Sequence, residues 1–366
     1  MHRDYLNAGA DIILANTFGA NELKFPDNLE EIVTKGVQNA KKAVEETGKD
    51  GYVALDVGPT GKLLKPLGTL DFEDAVSIFA RTIKAGAAAG ADLILIETMS
   101  DTYELKAAVL AAKENTSLPV FATTIFDERG KLLTGGDVPS VVAMLEGLRV
   151  DALGLNCGLG PKQMLPILND LRRYTSLPII VKPNAGLPKQ KNGETYYDVE
   201  PDEFARIMQE VVKGGACVIG GCCGTTPEHL HALIKELENK PTVTPPKVKP
   251  FTALTCRTGV VYVGDNYAPV KIGERINPTG RKTLREDIQK GSFVSIKKEG
   301  LAEVAAGADI LDVNMGVPGV DQAAAMETAI SQLSMLCPVP FSIDSTDPVV
   351  IERALKVYPG RPLINS

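Results

Sequence analysis

The 366-residue chain lacks several features that would place it in other classes. Six cysteines are too few for a disulfide framework. A reducing cytoplasm is therefore the expected setting, where closely spaced cysteines point to metal binding or catalysis. No apolar run approaches the ~20 residues needed to span a membrane. Residues 1–9 hold no apolar signal core and read as the last turn of a helix stopped by Gly9. There is no excess of positive charge: 39 Lys and Arg against 46 Asp and Glu leave a net −7, which argues against a nucleic-acid partner. The deficit lies in residues 1–240, with 25 basic and 33 acidic side chains. A Gly-x-Gly-x-x-Gly turn is also missing there, which weakens the case for an open doubly wound sheet.

What is present is a globular mix of 44% apolar and 23% charged residues. Short apolar runs at 10–18, 52–60, 91–99, 119–126, 151–158, 178–186 and 217–224 alternate with segments of helical period. Near-continuous apolar strands such as 92–96 predict burial on both faces, as in a parallel sheet. Phe72, Val76, Phe79 and Ile83 fall on one helical face. Asp101-x-x-Glu104 has capping-box spacing, and Thr226-Pro227-Glu228 gives an N-cap, a proline at N1 and an acid in the first turn. Seven strand–helix units predict an α/β fold, a (β/α)8 TIM barrel lacking its first unit, over 1–238. Residues 239–257 read as a linker; its Pro241, Pro245, Pro246 and Pro250, with Lys247 and Lys249, cannot continue a helix. Over 258–366 strands are expected at 259–263, 269–276, 308–314, 339–344 and 362–366, with helices at 295–306, 321–335 and 348–357. That is the first half of a second barrel, so the expectation is tandem barrels in a chain cut at both ends.

In such barrels the chemistry sits at the carboxyl ends of the strands. Three cysteines lie there: Cys157, and the pair Cys222-Cys223 among Gly220, Gly221 and Gly224. Two readings stay open on the residues alone. Free cysteines pack well as small core residues. Alternatively, three thiolates suit Zn²⁺ and leave its fourth position open, as in catalytic zinc sites. Cys217, Cys256 and Cys337 fall outside the pattern and read as core, and His2, His229 and His231 lie at no strand end.

Asn156-Cys157-Gly158 together with Gly220-Gly221-Cys222-Cys223-Gly224-Thr225-Thr226-Pro227-Glu228-His229 resembles the zinc site of the homocysteine S-methyltransferase family. Asn16-Thr17-Phe18-Gly19-Ala20-Asn21, Asp56-Val57-Gly58-Pro59-Thr60-Gly61 and Glu97-Thr98 fit the same family. The resemblance implies zinc on Cys157, Cys222 and Cys223, with the homocysteine thiol as fourth ligand. It also implies that Glu97 holds the substrate amino group, that Thr17 helps bind its carboxylate, and that Asn156 belongs to the same substrate site. Four thiolates on one zinc carry formal charge −2, which keeps the substrate sulfur nucleophilic. For Glu97 the competing reading is a partner for the following helix N-terminus. The family's Asp-Gly motif at the end of the first strand is absent here, which puts barrel closure and amino-acid binding in question.

Glu274-Arg275-Ile276-Asn277-Pro278-Thr279-Gly280 resembles the pterin-binding domain family, including the methyltetrahydrofolate barrel of cobalamin-dependent methionine synthases. The resemblance implies that Glu274, Asn277, Asp312, Asn314, Asp344 and Asn365 contact or order a pterin ring; helix capping by these Asp and Asn residues is the competing reading. Together the two resemblances imply methyl transfer from methyltetrahydrofolate through cobalamin to zinc-activated homocysteine. The cobalamin would lie on a segment or protein outside this chain. The alternatives are a betaine or sulfonium methyl donor, or a non-catalytic fragment that binds zinc or pterin.

Overall fold

A computed structural model describes residues 1–191, 193–248 and 251–366. Lys249 and Pro250 of the expected linker lie outside the described residues. The chain divides into two compact units, 1–133 with 148–248, and 134–147 with 249–366.

In the first unit helices and strands alternate: α1 His2–Asn7, β1 Ile12–Leu14, α2 Leu29–Thr47, β2 Tyr52–Val57, α3 Phe72–Ala88, β3 Leu93–Met99, α4 Thr102–Asn115 and β4 Val120–Thr124. Helix α5, Val138–Gly147, is grouped with the second unit. The first unit then continues through β5 Ala152–Asn156, α6 Pro161–Leu171, β6 Ile179–Lys182, a small hairpin of β7 Lys189–Lys191 and β8 Glu194–Tyr196, α7 Pro201–Lys213, β9 Val218–Ile219 and α8 Pro227–Leu237. Seven strands pair in parallel in the order β1-β2-β3-β4-β5-β6-β9, and the sheet is curled. These are the seven expected strands.

The curl follows from the residues on the two faces. One face carries Val53, Leu55, Ile94, Ile96, Val120, Ala122, Leu153, Leu155, Ile179 and Val181, all buried. Strand side chains alternate, so the intervening residues share the other, concave face. There Ala54, Leu93 and Leu95 pack with Ile12, Leu14 and Phe121. The same alternation carries Asp56, Glu97, Thr123, Asn156 and Lys182 onto the concave face near the carboxyl ends of the strands. Gly154 sits among them because a Cβ there would lie 1.9 Å from Ile180 O in the neighbouring strand.

The cap signals hold with one difference. Thr226 caps α8, with Pro227 at N1, and its N–H donates in return to His229 Nδ1 (3.2 Å). Asp101 caps α4 by accepting from Glu104 N at 3.1 Å. Glu104 does not reciprocate; its carboxylate accepts from Thr60 N (2.7 Å) and Thr60 Oγ1 (2.6 Å) and so anchors the loop after β2.

The second unit opens with an antiparallel hairpin of β10 Thr252–Thr255 and β11 Val260–Val263. Strand β10 lies inside the stretch expected to be linker: its backbone finds partners in β11, and Thr255 also exchanges bonds with Arg361. Then follow β12 Ile272–Ile276, α9 Lys282–Gln289, α10 Val294–Ala305, β13 Ile310–Asn314, α11 Gln322–Leu333, β14 Phe341–Asp344, α12 Pro348–Val357 and β15 Leu363–Asn365. Strands β12-β13-β14-β15 form a second parallel sheet. Its core gathers Leu311, Val313, Phe341 and Ile343 with Met326, Ile330 and Tyr358. The buried Tyr358 hydroxyl donates to Thr255 O at 2.7 Å and ties the hairpin to the end of α12. Helix α5 packs against β10.

The 1.9 Å approach at Gly154 makes a direct prediction. Gly154→Ala is expected to lower the unfolding free energy by about 3 kcal/mol or more, since backbone cannot step aside as a side chain can. Urea unfolding of both forms checks it; a change within experimental error would contradict the close strand approach.

Candidate functional site

The end of β5 and the turn after β9 bring three thiols together. Cys157 Sγ lies 3.7 Å from Cys223 Sγ, and the sulfurs of Cys157, Cys222 and Cys223 all lie within 4.8 Å of one another. Among the described residues this is the group of three that can surround one metal ion. The turn allows it because Gly224 takes φ 81°, so Cys222 and Cys223 leave the alternation of the strand. Cys157 itself has φ 59°, a left-handed conformation uncommon outside glycine.

The segment after β6 holds both cysteine segments in place. Cys157 N donates to Lys182 O (3.1 Å), Cys222 N to Pro183 O (2.8 Å) and Cys223 N to Asn184 Oδ1 (3.1 Å). Ala185 N in turn donates to Cys223 O (2.9 Å). Asn156 braces the other side. Its Oδ1 accepts from Thr98 N (2.9 Å) and Thr123 Oγ1 (2.7 Å), while its Nδ2 donates to Thr98 Oγ1 (2.7 Å) and Cys222 Sγ (3.9 Å). Thr98 needs that bracing, since φ 63° is strained for a β-branched residue.

The thiols are unequal. Hydrogen bonding to Cys222 leads the causes that hold the Cys157 thiol down to about 6; Gly158 N–H, Cys223 and Asn184 add to it against the opposing effect of burial. Cys222 is pushed up, first by its hydrogen bond with Cys157 and then by burial. Cys223 is pushed up by burial and the nearby Cys157 charge. One thiolate thus suppresses ionisation of the other two, a cost that a cation at their centre would remove. Tyr197 lies beside Cys223, and its phenol is pushed up to about 12 by burial and then by the Cys223 charge.

Glu97, at the inward end of β3, is buried and paired with Lys182 Nζ rather than with a helix N-terminus. Asp56 lies beside this pair, its carboxyl pushed well above the usual range by burial, then by the Glu97 charge. Thr17 is buried and its donors are engaged: its hydroxyl donates to Asp56 O (2.8 Å) and its N–H to Ala15 O (2.8 Å). Asn156 likewise spends its amide on the surrounding strand ends.

In the second unit, Asp312 is buried and accepts from Asn365 Nδ2 (3.2 Å). Burial raises its carboxyl pKa, opposed by Ser342 and Asn365. Asn314 Nδ2 donates to Asp344 Oδ2 (2.8 Å). These four side chains line up at the ends of β13, β14 and β15, where Asn314, Asp344 and Asn365 stand in consecutive parallel registers. Asn277 follows β12 and accepts from Thr279 N (3.0 Å), and Glu274 is exposed on that strand.

Lys182, Asn184 and Thr98 were not assigned roles on sequence grounds. Lys182 and Asn184 stand at a strand end, a signal that could have singled them out; Thr98 carries no signal apart from its neighbour.

Comparison with known proteins follows the same division. Residues 273–366 match the pterin binding enzyme family, and residues 1–237 match the homocysteine S-methyltransferase family. The whole chain aligns with the methionine synthases of Mycobacterium tuberculosis, at 31% identity over 386 aligned positions, and Mycobacterium leprae, at 30% over 384. It spans 32% of the length of each. Solved structures of the Escherichia coli homocysteine methyltransferase MmuM are similar. The oxidized form has a TM-score of 0.55 and 27% identity over 64% of this chain and 82% of that one. The metallated form has 0.54 and 26% over 63% and 81%. With its seven-stranded curled sheet and three converging thiols, this chain belongs to the homocysteine S-methyltransferase family.

Proposed function

We propose that this chain contributes the homocysteine site, and part of the methyltetrahydrofolate site, of a methionine synthase. The observation that carries the reading is the convergence of Cys157, Cys222 and Cys223 within 4.8 Å, in a member of this family. The donor set fits zinc: three soft sulfurs, a fourth position left for substrate, and a suppressed ionisation of Cys222 and Cys223 that a divalent cation relieves. When bound, zinc supplies the Lewis acidity that keeps a homocysteine thiol ionised at neutral pH.

This chain's own residues do the rest. Asn184 and the backbone of Lys182 and Pro183 hold the cysteine segments; Asn156 keeps the β3 and β5 ends in register with Cys222. Glu97 receives the substrate ammonium. Thr17, its donors engaged, acts by holding the Asp56 backbone in place rather than by meeting the carboxylate with its hydroxyl. In the second unit Asp312, Asn314, Asp344 and Asn365, with Asn277 and Glu274, offer acceptors and amide donors to a pterin ring. The match of residues 273–366 to pterin binding enzymes favours methyltetrahydrofolate over a betaine or sulfonium donor. The methyl carrier would be cobalamin held outside these residues. Thiol ligands of this kind suit a reducing cytoplasm.

The chain purified with zinc is expected to retain about one equivalent, as an open three-thiolate site should, and Cys222→Ala to lose it. Metal analysis with thiol alkylation checks this; three freely alkylated cysteines in zinc-treated protein would sink the assignment. In the full-length protein, Cys222→Ala is expected to abolish methyl transfer to homocysteine and spare transfer from methyltetrahydrofolate to cobalamin. Asp344→Asn should do the reverse, slowing the folate half-reaction by about 10- to 100-fold, the range for a hydrogen bond to a charged group. Loss of both half-reactions in either variant would refute the division of labour.

A further inference from the structure

Four thiolates on one zinc carry the same formal charge, yet only the substrate's should take a methyl group. In that transfer the S–CH3 bond forms as the carrier–CH3 bond breaks, and the electron pair leaves with the carrier. A cysteine that took the methyl instead would become a neutral thioether and a poor zinc ligand. A thiolate loses nucleophilicity when a donor occupies one of its lone pairs. Hydrogen bonds to sulfur can therefore decide which of the four reacts.

The protein brings such a donor to each cysteine of the cluster. Asn156 Nδ2 donates to Cys222 Sγ at 3.9 Å. The Gly158 N–H and Asn184 bond to Cys157. Cys223, the most exposed of the three, is met by Tyr197, whose hydroxyl donates to its sulfur. Asn156 and Tyr197 then have no donor left: the carboxamide spends its two on Thr98 and Cys222, and a phenol has only one.

The fold delivers Tyr197 to this place by several ties. It directly follows the β7–β8 hairpin, in which Lys189 pairs with Tyr196, and Asp198 beyond it forms an ion pair with Lys189. Val199 N donates to Ala185 O (2.9 Å), and Ala185 N donates to Cys223 O (2.9 Å). His229 Nε2, from the capped end of α8, donates to Val199 O (2.9 Å). Tyr197 and Cys223 are thus held by the same short segment after β6. The ring also lies against Gly224, where a Cβ would stand 2.5 Å from Tyr197 Cγ. Glycine at 224 serves this contact as well as the turn.

We propose that Tyr197 is a positioning residue that steers methyl transfer away from Cys223. Its hydroxyl occupies a lone pair of that sulfur, as Asn156 does for Cys222 and the Gly158 N–H does for Cys157. The substrate sulfur is left as the most nucleophilic of the four. The inference rests on the reading of this site as a zinc site for homocysteine, and it adds how one sulfur is selected.

The test follows iodoacetamide alkylation of the zinc-loaded chain, with mass mapping of Cys157, Cys222 and Cys223; an S–C bond forms and iodide leaves. Zinc content is read in parallel with a metallochromic chelator. Tyr197→Phe keeps the ring and removes the donor. Cys223 is expected to react about 3- to 10-fold faster in this variant, the range for one net hydrogen bond, with zinc retained and the other two cysteines unchanged. A 3-fluorotyrosine at position 197, a stronger donor of nearly the same shape, is expected to slow Cys223. An unchanged Cys223 rate in either form overturns the proposal. So does equal acceleration of all three cysteines, which marks a loosened site. If Tyr197→Phe loses its zinc, the 3-fluorotyrosine form decides alone. A wild-type chain that holds no zinc overturns the zinc reading itself, and the steering role with it.

Discussion

One carboxamide, that of Asn156, holds the first unit's site together. It is fully buried, and its four hydrogen bonds use the whole capacity of the group. Two of them go to Thr98, at the end of β3, one to Thr123 on β4, and one to the Cys222 sulfur beyond β9. Ends of strands that are far apart in sequence are thereby fixed to one point. The left-handed backbone of Thr98 persists because both its N–H and its hydroxyl are held, and that conformation turns the chain directly after Glu97.

Charge is the second constraint. The concave face of the sheet collects Asp56, Glu97 and Lys182 in one region and three thiols in another. Neither group suits an apolar interior unaided. The carboxylates settle by pairing with Lys182 and by the shift of Asp56 toward neutrality; the thiols settle by letting Cys157 ionise at the expense of Cys222.

Much of this was legible in the sequence. Strands β2, β3, β5 and β13 appear as apolar runs because residues buried on both faces leave little polar alternation to blur them. The cysteine triad stood out because all three residues fall at strand ends beside glycine. Other features were hidden for specific reasons. Helix α9 has only Leu284 and Ile288 buried, too few to make a period. Strand β10 is a Thr-Ala-Leu-Thr segment just past the prolines, and its pairing depends on β11 and Arg361. The capping box at Asp101 was half right, because Glu104 found a better partner in Thr60.

By itself the sequence determined the strands of the two parallel sheets, which strand ends carry polar or sulfur groups, and which family the motifs resemble. Those are properties of local pattern and residue type. Only the tertiary structure decided what those groups do to one another. Lys182 reads as an ordinary cation until the curl of the sheet sets it against Glu97, 85 residues away. Thr17 reads as an open hydroxyl until it is seen donating to Asp56 O. Hydrogen-bond capacity is finite, and where it is spent depends on neighbours that sequence separation conceals.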